Sequence, residues 1–401
     1  MRKMDLNNIQ VATSETARDI NRRVVLNLIR THQPISRADL ARCSGLQRST
    51  VSAITEQLIA ERWVQEGAIG HLPRGRKPTF LHLNSDRAGV IGINLRPTRT
   101  DVALADLSGR FLAQQSIATS ENPQEFIAEL SNRVCALIKA NPQLDYEGIG
   151  ISVPGRVDAQ KQRLIFAPNL NWGEVDLKTP LEKATGLSVE IENAATACAL
   201  TELWFGKQTE GARNFATVTV SEGIGVGLIV NGERVRGNSG LAGEFGHISL
   251  QADGPQCHCG NLGCWEVFAS NNAAIAHYMQ VATPGRNGKP ASRVPVTAPT
   301  IEDLLHLVRQ GDGKALESLE RMAKYLGQGL AMVIMSIAPD VILLVGEVTS
   351  AWEYLEPIIW REIKQRCRMP SKTRIIPSDH TTQPRLRGAV ALILQKHFGL
   401  P

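Results

Sequence analysis

The chain lacks a long hydrophobic run. Its most apolar stretch, residues 331–345, is interrupted at Pro339-Asp340 and is too short to cross a bilayer. Residues 1–10 are polar and lack the apolar segment of a secretory leader. A cytoplasmic protein without membrane contact is expected. A disulfide framework is missing too: the seven cysteines are an odd set, and Cys43, Cys135, Cys198 and Cys367 are scattered, which suits a reducing compartment. Nor is there a strong net charge, only +5 over 401 residues. With 43% hydrophobic and 21% charged residues, the composition is that of an ordinary globular chain of two or three domains.

The modest charge is unevenly placed. Residues 1–83 hold 13 Lys and Arg against 7 Asp and Glu, which leaves the other 318 residues at a net of −1. A small basic segment on a near-neutral body points to a polyanion partner, because phosphate neutralisation supplies most non-specific nucleic-acid affinity. The pattern within that segment is more specific. Ala17, Ile20, Val24 and Leu28, widened by Val25 and Ile29, recur at helical spacing until Thr31-His-Gln-Pro34 ends the helix. Ser36 then caps a short helix through Leu40 and Cys43, Gly45 makes a turn, and a second helix runs from about Gln47 to Ala60 with Val51, Ile54, Leu58 and Ile59 inward. Two short helices about a Gly-containing turn read as helix-turn-helix.

Gln47, Arg48, Ser49, Thr50 and Ser52 stand at the start of that second helix. Such side chains read base edges in a major groove; taken alone, they are also ordinary helix caps. Beyond them, Trp63-Val-Gln-Glu66 and Thr79-Phe-Leu-His-Leu83 read as a hairpin whose Gly/Pro-rich tip carries Arg74, Arg76 and Lys77. A basic tip alone is a solvated loop, but beside a helix-turn-helix it reads as a wing set against the DNA backbone or in a narrow minor groove. The expectation is a winged helix-turn-helix binding a double-stranded operator.

Further along, Glu244-Phe-Gly-His247 precedes Cys257-His-Cys259-Gly-Asn-Leu-Gly-Cys264-Trp-Glu266. Three thiols and an imidazole form the closed, four-ligand set of a structural zinc site. Gly260 and Gly263 permit the turns that return Cys264 toward the other thiols. His247 and His258 both offer an imidazole; His258 lies between two cysteines, where successive side chains point apart, so His247 is the better ligand. The alternative is three free thiols that hold nothing.

These residues, with Val153-Pro-Gly155, Ala167-Pro-Asn169-Leu and Glu192-Asn193, resemble the signature of the ROK family, which groups bacterial sugar kinases with sugar-responsive repressors. The resemblance spans residues 85 to 401. It implies a two-lobed α/β body of the actin-like, hexokinase-like form, and the alternation of strands and helices along the body agrees with two such lobes. It also implies that Asn169, Asn193, Glu244, His247 and Glu266 hold a sugar or sugar phosphate through paired hydrogen bonds with hydroxyls. His247 would then serve metal and sugar together.

The kinase parts are altered. The turn after the first strand, an Asp-x-Gly type in family kinases, is Asn94-Leu-Arg96-Pro97-Thr98. The second phosphate loop, Ser221-Glu222-Gly223-Ile-Gly225, puts a carboxylate where phosphate would lie, and like charge there is expected to repel ATP. Ala194 stands where the family's catalytic aspartate follows the asparagine, so no side chain takes the proton from the sugar hydroxyl. The expectation is a repressor rather than an enzyme, with a DNA-binding domain at 1–83, a first lobe at 84–195 completed by a C-terminal helix at 386–401, and a second lobe at 196–385 bearing the zinc. A homodimer, or a dimer of dimers, matches a two-fold operator. The competing readings are a sugar kinase with an accessory DNA-binding domain, and a repressor governed by a protein partner instead of a sugar.

Overall fold

The computed structural model of the chain describes residues 14–69, 78–158, 160–206, 208–209, 211–237, 240–279, 298–369 and 371–398. Its first segment is a winged helix-turn-helix. Helix α1 (Ser14–His32) leads to β1 (Ile35–Ser36), α2 (Arg37–Ser44), α3 (Arg48–Ala60), β2 (Val64–Ile69) and β3 (Thr79–Leu83), with the strands ordered β1-β3-β2. Ser36 and Asp39 close a reciprocal capping box at the start of α2, and Gly45 ends it in the left-handed conformation at φ 72°. The face of α1 differs from the expected one: Val25, Leu26 and Ile29 are fully buried while Ala17 is exposed. The helix is covered on two sides, by α2 and α3 and by the last helix of the chain, and that second neighbour is invisible to a periodicity reading.

The first lobe holds β4 (Ala88–Leu95), β5 (Arg99–Asp106), β6 (Phe111–Ala118), α4 (Pro123–Ala140), β7 (Asp145–Val153), β8 (Arg156–Asp158), β9 (Arg163–Phe166), α5 (Lys178–Thr185) and β10 (Val189–Asn193), after which α6 (Ala194–Phe205) leads into the second. The second holds β11 (Phe215–Val220), β12 (Ile224–Val230), β13 (Glu233–Arg234), α7 (Glu266–Ala269), α8 (Asn271–Tyr278), α9 (Ile301–Arg309), α10 (Gly313–Ile337), β14 (Val341–Val345), α11 (Trp352–Arg366) and β15 (Arg374–Pro377), and α12 (Pro384–Phe398) returns to the first-lobe sheet. The two main sheets are built alike. One is ordered β10-β7-β4-β5-β6 and the other β15-β14-β11-β12-β13, each an antiparallel three-strand meander extended by two parallel strands. Residues 266–278 form two helices and not one, because Ser270 leaves helical geometry and its side chain caps α8 through Ala273 N.

Helices α6 and α12 lie between the sheets: α12 on β4 and β7, α6 on β11 and β12, and each against the other. The approach is backbone to backbone. A Cβ on Gly150 would meet the Ala389 carbonyl oxygen at 1.8 Å, and one on Gly388 would meet that of Ala197 at 1.9 Å. At its far end α12 docks the winged segment. Val390, Ile393, Leu394 and Phe398 share one core with Val25, Ile29, Trp63 and Leu83. Arg30 lies over the Trp204 ring at 4.4 Å and donates to the Trp204 carbonyl at 2.7 Å, and Arg87 lies over Trp63 at 4.2 Å. Glu147 accepts from His397 at 2.9 Å and from Arg87. Among the described residues no helix is long and apolar enough to cross a membrane.

This packing makes Gly150→Ala destabilising by about 1–3 kcal/mol, as overpacking generally is. Denaturant unfolding should register the loss, and Gly313→Ala, where nothing lies within 4 Å, should cost nothing by comparison.

Candidate functional site

The cleft between the lobes is lined by Pro154, Gly155 and Asn169 from the first lobe, by the junction of β10 and α6, and by the β11–β12 turn, Glu244, His247 and Glu266 from the second. All five expected sugar contacts converge here. Asn193 N-caps α6: its Oδ1 accepts from Ala195 N at 2.8 Å and its Nδ2 donates to the Gly155 carbonyl at 2.6 Å. Its amide is therefore largely engaged by the backbone, and it joins β10 and α6 to the Pro154-Gly155 turn. Glu244 and His247 share one 3-10 turn, Glu244–His247. Glu266 opens α7 and accepts from Ile224 N at 2.9 Å. Burial pushes the Glu266 carboxyl above its usual range; burial likewise raises that of Glu244, and the attraction of His247 does not offset it.

Behind Glu244, the ligand atoms of His247, Cys257, Cys259 and Cys264 lie within 4.8 Å of one another, a cluster able to hold a metal ion. The Cys259–Cys264 sulfur separation of 3.7 Å fits the edge of a tetrahedron with metal–sulfur bonds of about 2.3 Å. His247 turns Nδ1 toward the Cys257 sulfur at 3.6 Å and Nε2 toward Glu244 at 3.7 Å, so one ring nitrogen faces the thiols and the other the cleft. Gly263 has φ 63°, and a Cβ there would meet Gln251 O at 1.7 Å; no other residue makes this turn. Burial and the neighbouring Cys259 push the Cys264 thiol up to about 12. A bound cation would reverse that preference by stabilising the thiolates.

On the nucleotide side of the cleft the expected repulsion by Glu222 takes a different form. Arg96, from the β4–β5 loop, reaches Glu222 at 3.0 Å and Glu347 at 3.4 Å across the lobes. Although burial works against it, Arg96 and then Arg385 hold the Glu222 carboxyl below its usual range. The carboxylate is neutralised, and a half-buried ion pair stands between the lobes in the cleft. Ala194 borders the same cavity and offers no proton acceptor. Sequence reading missed Arg156, Arg236 and Arg385, which also line it. The Val-Pro-Gly turn before Arg156 was a usable signal; Arg385 had none, since only the fold brings the start of α12 to the cleft.

In the winged segment Gln47, Arg48 and Ser49 are exposed, Thr50 and Ser52 half-buried. Gln47 occupies the N-cap position of α3 without a side-chain cap bond, which leaves its amide available. The wing residues Arg74, Arg76 and Lys77 fall outside the described residues.

The ROK family model matches residues 90–396. The chain belongs to the ROK family. This ROK protein is 31% identical over 395 residues to a xylose repressor of Bacillus spizizenii, covering 97% of this chain and 98% of the relative. Among solved structures it is similar to a ROK family transcriptional regulator described as a homolog of the Escherichia coli MLC protein, with a TM-score of 0.80 and 28% identity over 96% of this chain and 98% of the other. A ROK family glucokinase from Streptomyces griseus, solved with glucose and AMPPNP, matches with a TM-score of 0.65 and 28% identity, covering 76% of this chain and 98% of the kinase.

With Ala194 in the base position and Arg96 in the cleft, sugar-dependent ATP turnover should be undetectable against ordinary kinase rates of about 1–100 per second. A coupled assay across several sugars checks this, and Ala194→Asp alone should not create activity while the Arg96 ion pair stays in place.

Proposed function

We propose that the chain is a DNA-binding transcriptional repressor whose hold on its operator is set by a sugar bound in a kinase-like body that does not transfer phosphate. The observation that carries the reading is the contrast within one cleft: the sugar-holding residues Asn169, Asn193, Glu244, His247 and Glu266 converge, while the nucleotide side contains the Arg96 ion pair and lacks a base. Full-length likeness to a xylose repressor supports it. In this reading residues 1–83 bind DNA, residues 84–195 with 386–401 form one lobe, and residues 196–385 form the other. Gln47, Arg48, Ser49, Thr50 and Ser52 read bases in a major groove, and Arg74, Arg76 and Lys77 contact the backbone or minor groove. A homodimer, or a dimer of dimers, engages a two-fold operator in the cytoplasm.

The metal is zinc, one per chain, held by His247, Cys257, Cys259 and Cys264. Its role is structural: it sets the tautomer of His247 and so orients a sugar-facing ring nitrogen. The sugar acts on the DNA-binding segment through α6 and α12, since both have one end at the cleft and the other against that segment. Sugar that favours one lobe arrangement alters operator affinity, and linkage requires operator to alter sugar affinity by the same factor.

Metal analysis of the purified protein should find one zinc per chain, and Cys259→Ala should lower both zinc content and melting temperature. A variant that keeps full zinc and full stability would remove Cys259 from the set. Glu244→Ala should bind operator within about twofold of wild type yet show no sugar response, read by operator titration with and without sugar. A wild-type response in that variant, or no sugar that changes operator affinity, would shift the case to a protein effector. Arg48→Ala should relax sequence preference by about 1–3 kcal/mol, as expected for a good bidentate contact.

A further inference from the structure

We infer that Glu192 is a positioning residue of the sugar site, and that with Arg234 and Arg236 it clamps the second lobe onto the first, so that sugar affinity depends on the clamp. The inference rests on the sugar-sensing reading above. Glu192 is buried on β10 and precedes Asn193, the residue that caps α6 at the cleft. Its Oε1 accepts from Asn193 N at 3.0 Å. Its Oε2 accepts from two guanidinium groups of the other lobe, that of Arg234 on β13 and that of Arg236, the latter at 3.4 Å. Neither arginine has a second ion pair among the described residues. One carboxylate thus holds the backbone of a cleft residue with one oxygen and the second lobe with the other.

The two arginines begin the segment that ends at Glu244 and His247, and this segment touches the first lobe again at Gly240, where a Cβ would meet the Val157 carbonyl oxygen at 2.7 Å. Asn193 and Glu244, on opposite walls of the cleft, are therefore fixed relative to each other through Glu192. The Arg96 bridge has the reverse polarity, with its cation on the first lobe and its acids on the second. Two bridges of reversed polarity are satisfied together in only one register of the lobes. Separating the lobes at Glu192 would leave a carboxylate and two guanidinium groups without the partners they have here, in places partly closed to water, where unpaired charge costs most. A pocket whose walls come from both lobes is preorganised by such a link, and preorganisation raises affinity by lowering the ordering cost of binding.

Isothermal titration of the full-length protein with glucose, N-acetylglucosamine and xylose in turn tests the inference. For the sugar that wild type binds most tightly, Glu192→Gln should weaken binding about tenfold or more, although the glutamine keeps an oxygen for Asn193 N. Arg234→Gln combined with Arg236→Gln should weaken it comparably, and the triple variant should lose little more than either, because residues that act as one unit are not additive. Glu190→Gln removes another carboxylate from the same strand, one paired with Lys396 of α12 at 2.9 Å. It should keep sugar affinity within about twofold of wild type, which separates positioning from a general loss of strand stability. If thermal melting shows that Glu192→Gln does not fold, the arginine variants on the other lobe carry the test. Wild-type affinity in Glu192→Gln or in the arginine variant, or free-energy losses that simply add in the triple variant, would overturn the inference and leave the sugar-sensing reading standing. Absence of binding of every sugar by wild type would overturn that reading and the inference with it.

Discussion

The architecture depends on one close contact, the passage of α12 between the two sheets. Glycines at 150 and 388 let its backbone touch β7 on one side and α6 on the other, and no side chain intervenes to absorb a shift. Interiors packed at this density do not deform gradually; they move as bodies or not at all. Because the N-terminal end of α12 brings Arg385 to the cleft and its C-terminal end brings Phe398 into the core of the winged segment, a change in lobe closure has a rigid element along which to act. Helix α6 is placed the same way, from Asn193 at the cleft to Trp204 beneath Arg30.

The cleft itself shows how a phosphate-handling site is converted without changing the fold. A guanidinium from one lobe and two carboxylates from the other form an internal bridge. Removing one partner of this half-buried bridge leaves a charge less compensated, so the three residues depend on one another's presence. The bridge joins the lobes through protein atoms alone.

The Cys/His cluster and the lining of the cleft are one construction. His247 presents Nδ1 to the thiols and Nε2 toward Glu244, so the ring is shared between a structural centre and a ligand-facing one. A cation among the thiols fixes which nitrogen carries the proton, and the cleft inherits that choice. The extreme backbone of Gly263 exists to close this loop, and it places Leu250 and Gln251 against the Gly263 carbonyl.

Much of this was legible in the chain. The cap at Ser36, the turn at Gly45 and the Cys/His spacing are local signals, each set by residues close in the chain, and local chemistry decides them. The cleft residues Asn169, Asn193, Glu244, His247 and Glu266 were legible as motifs because each lies in a short segment at the end of a strand or the start of a turn or helix. The tertiary structure alone decided which face of α1 is buried, since α12 covers it from more than 350 residues away. It alone decided that Glu222 is paired, because Arg96 lies 126 positions earlier, and that Arg156 and Arg385 face one cavity. The physical reason is the same in each case: burial and charge compensation are pairwise quantities, and a sequence states one member of the pair without its partner.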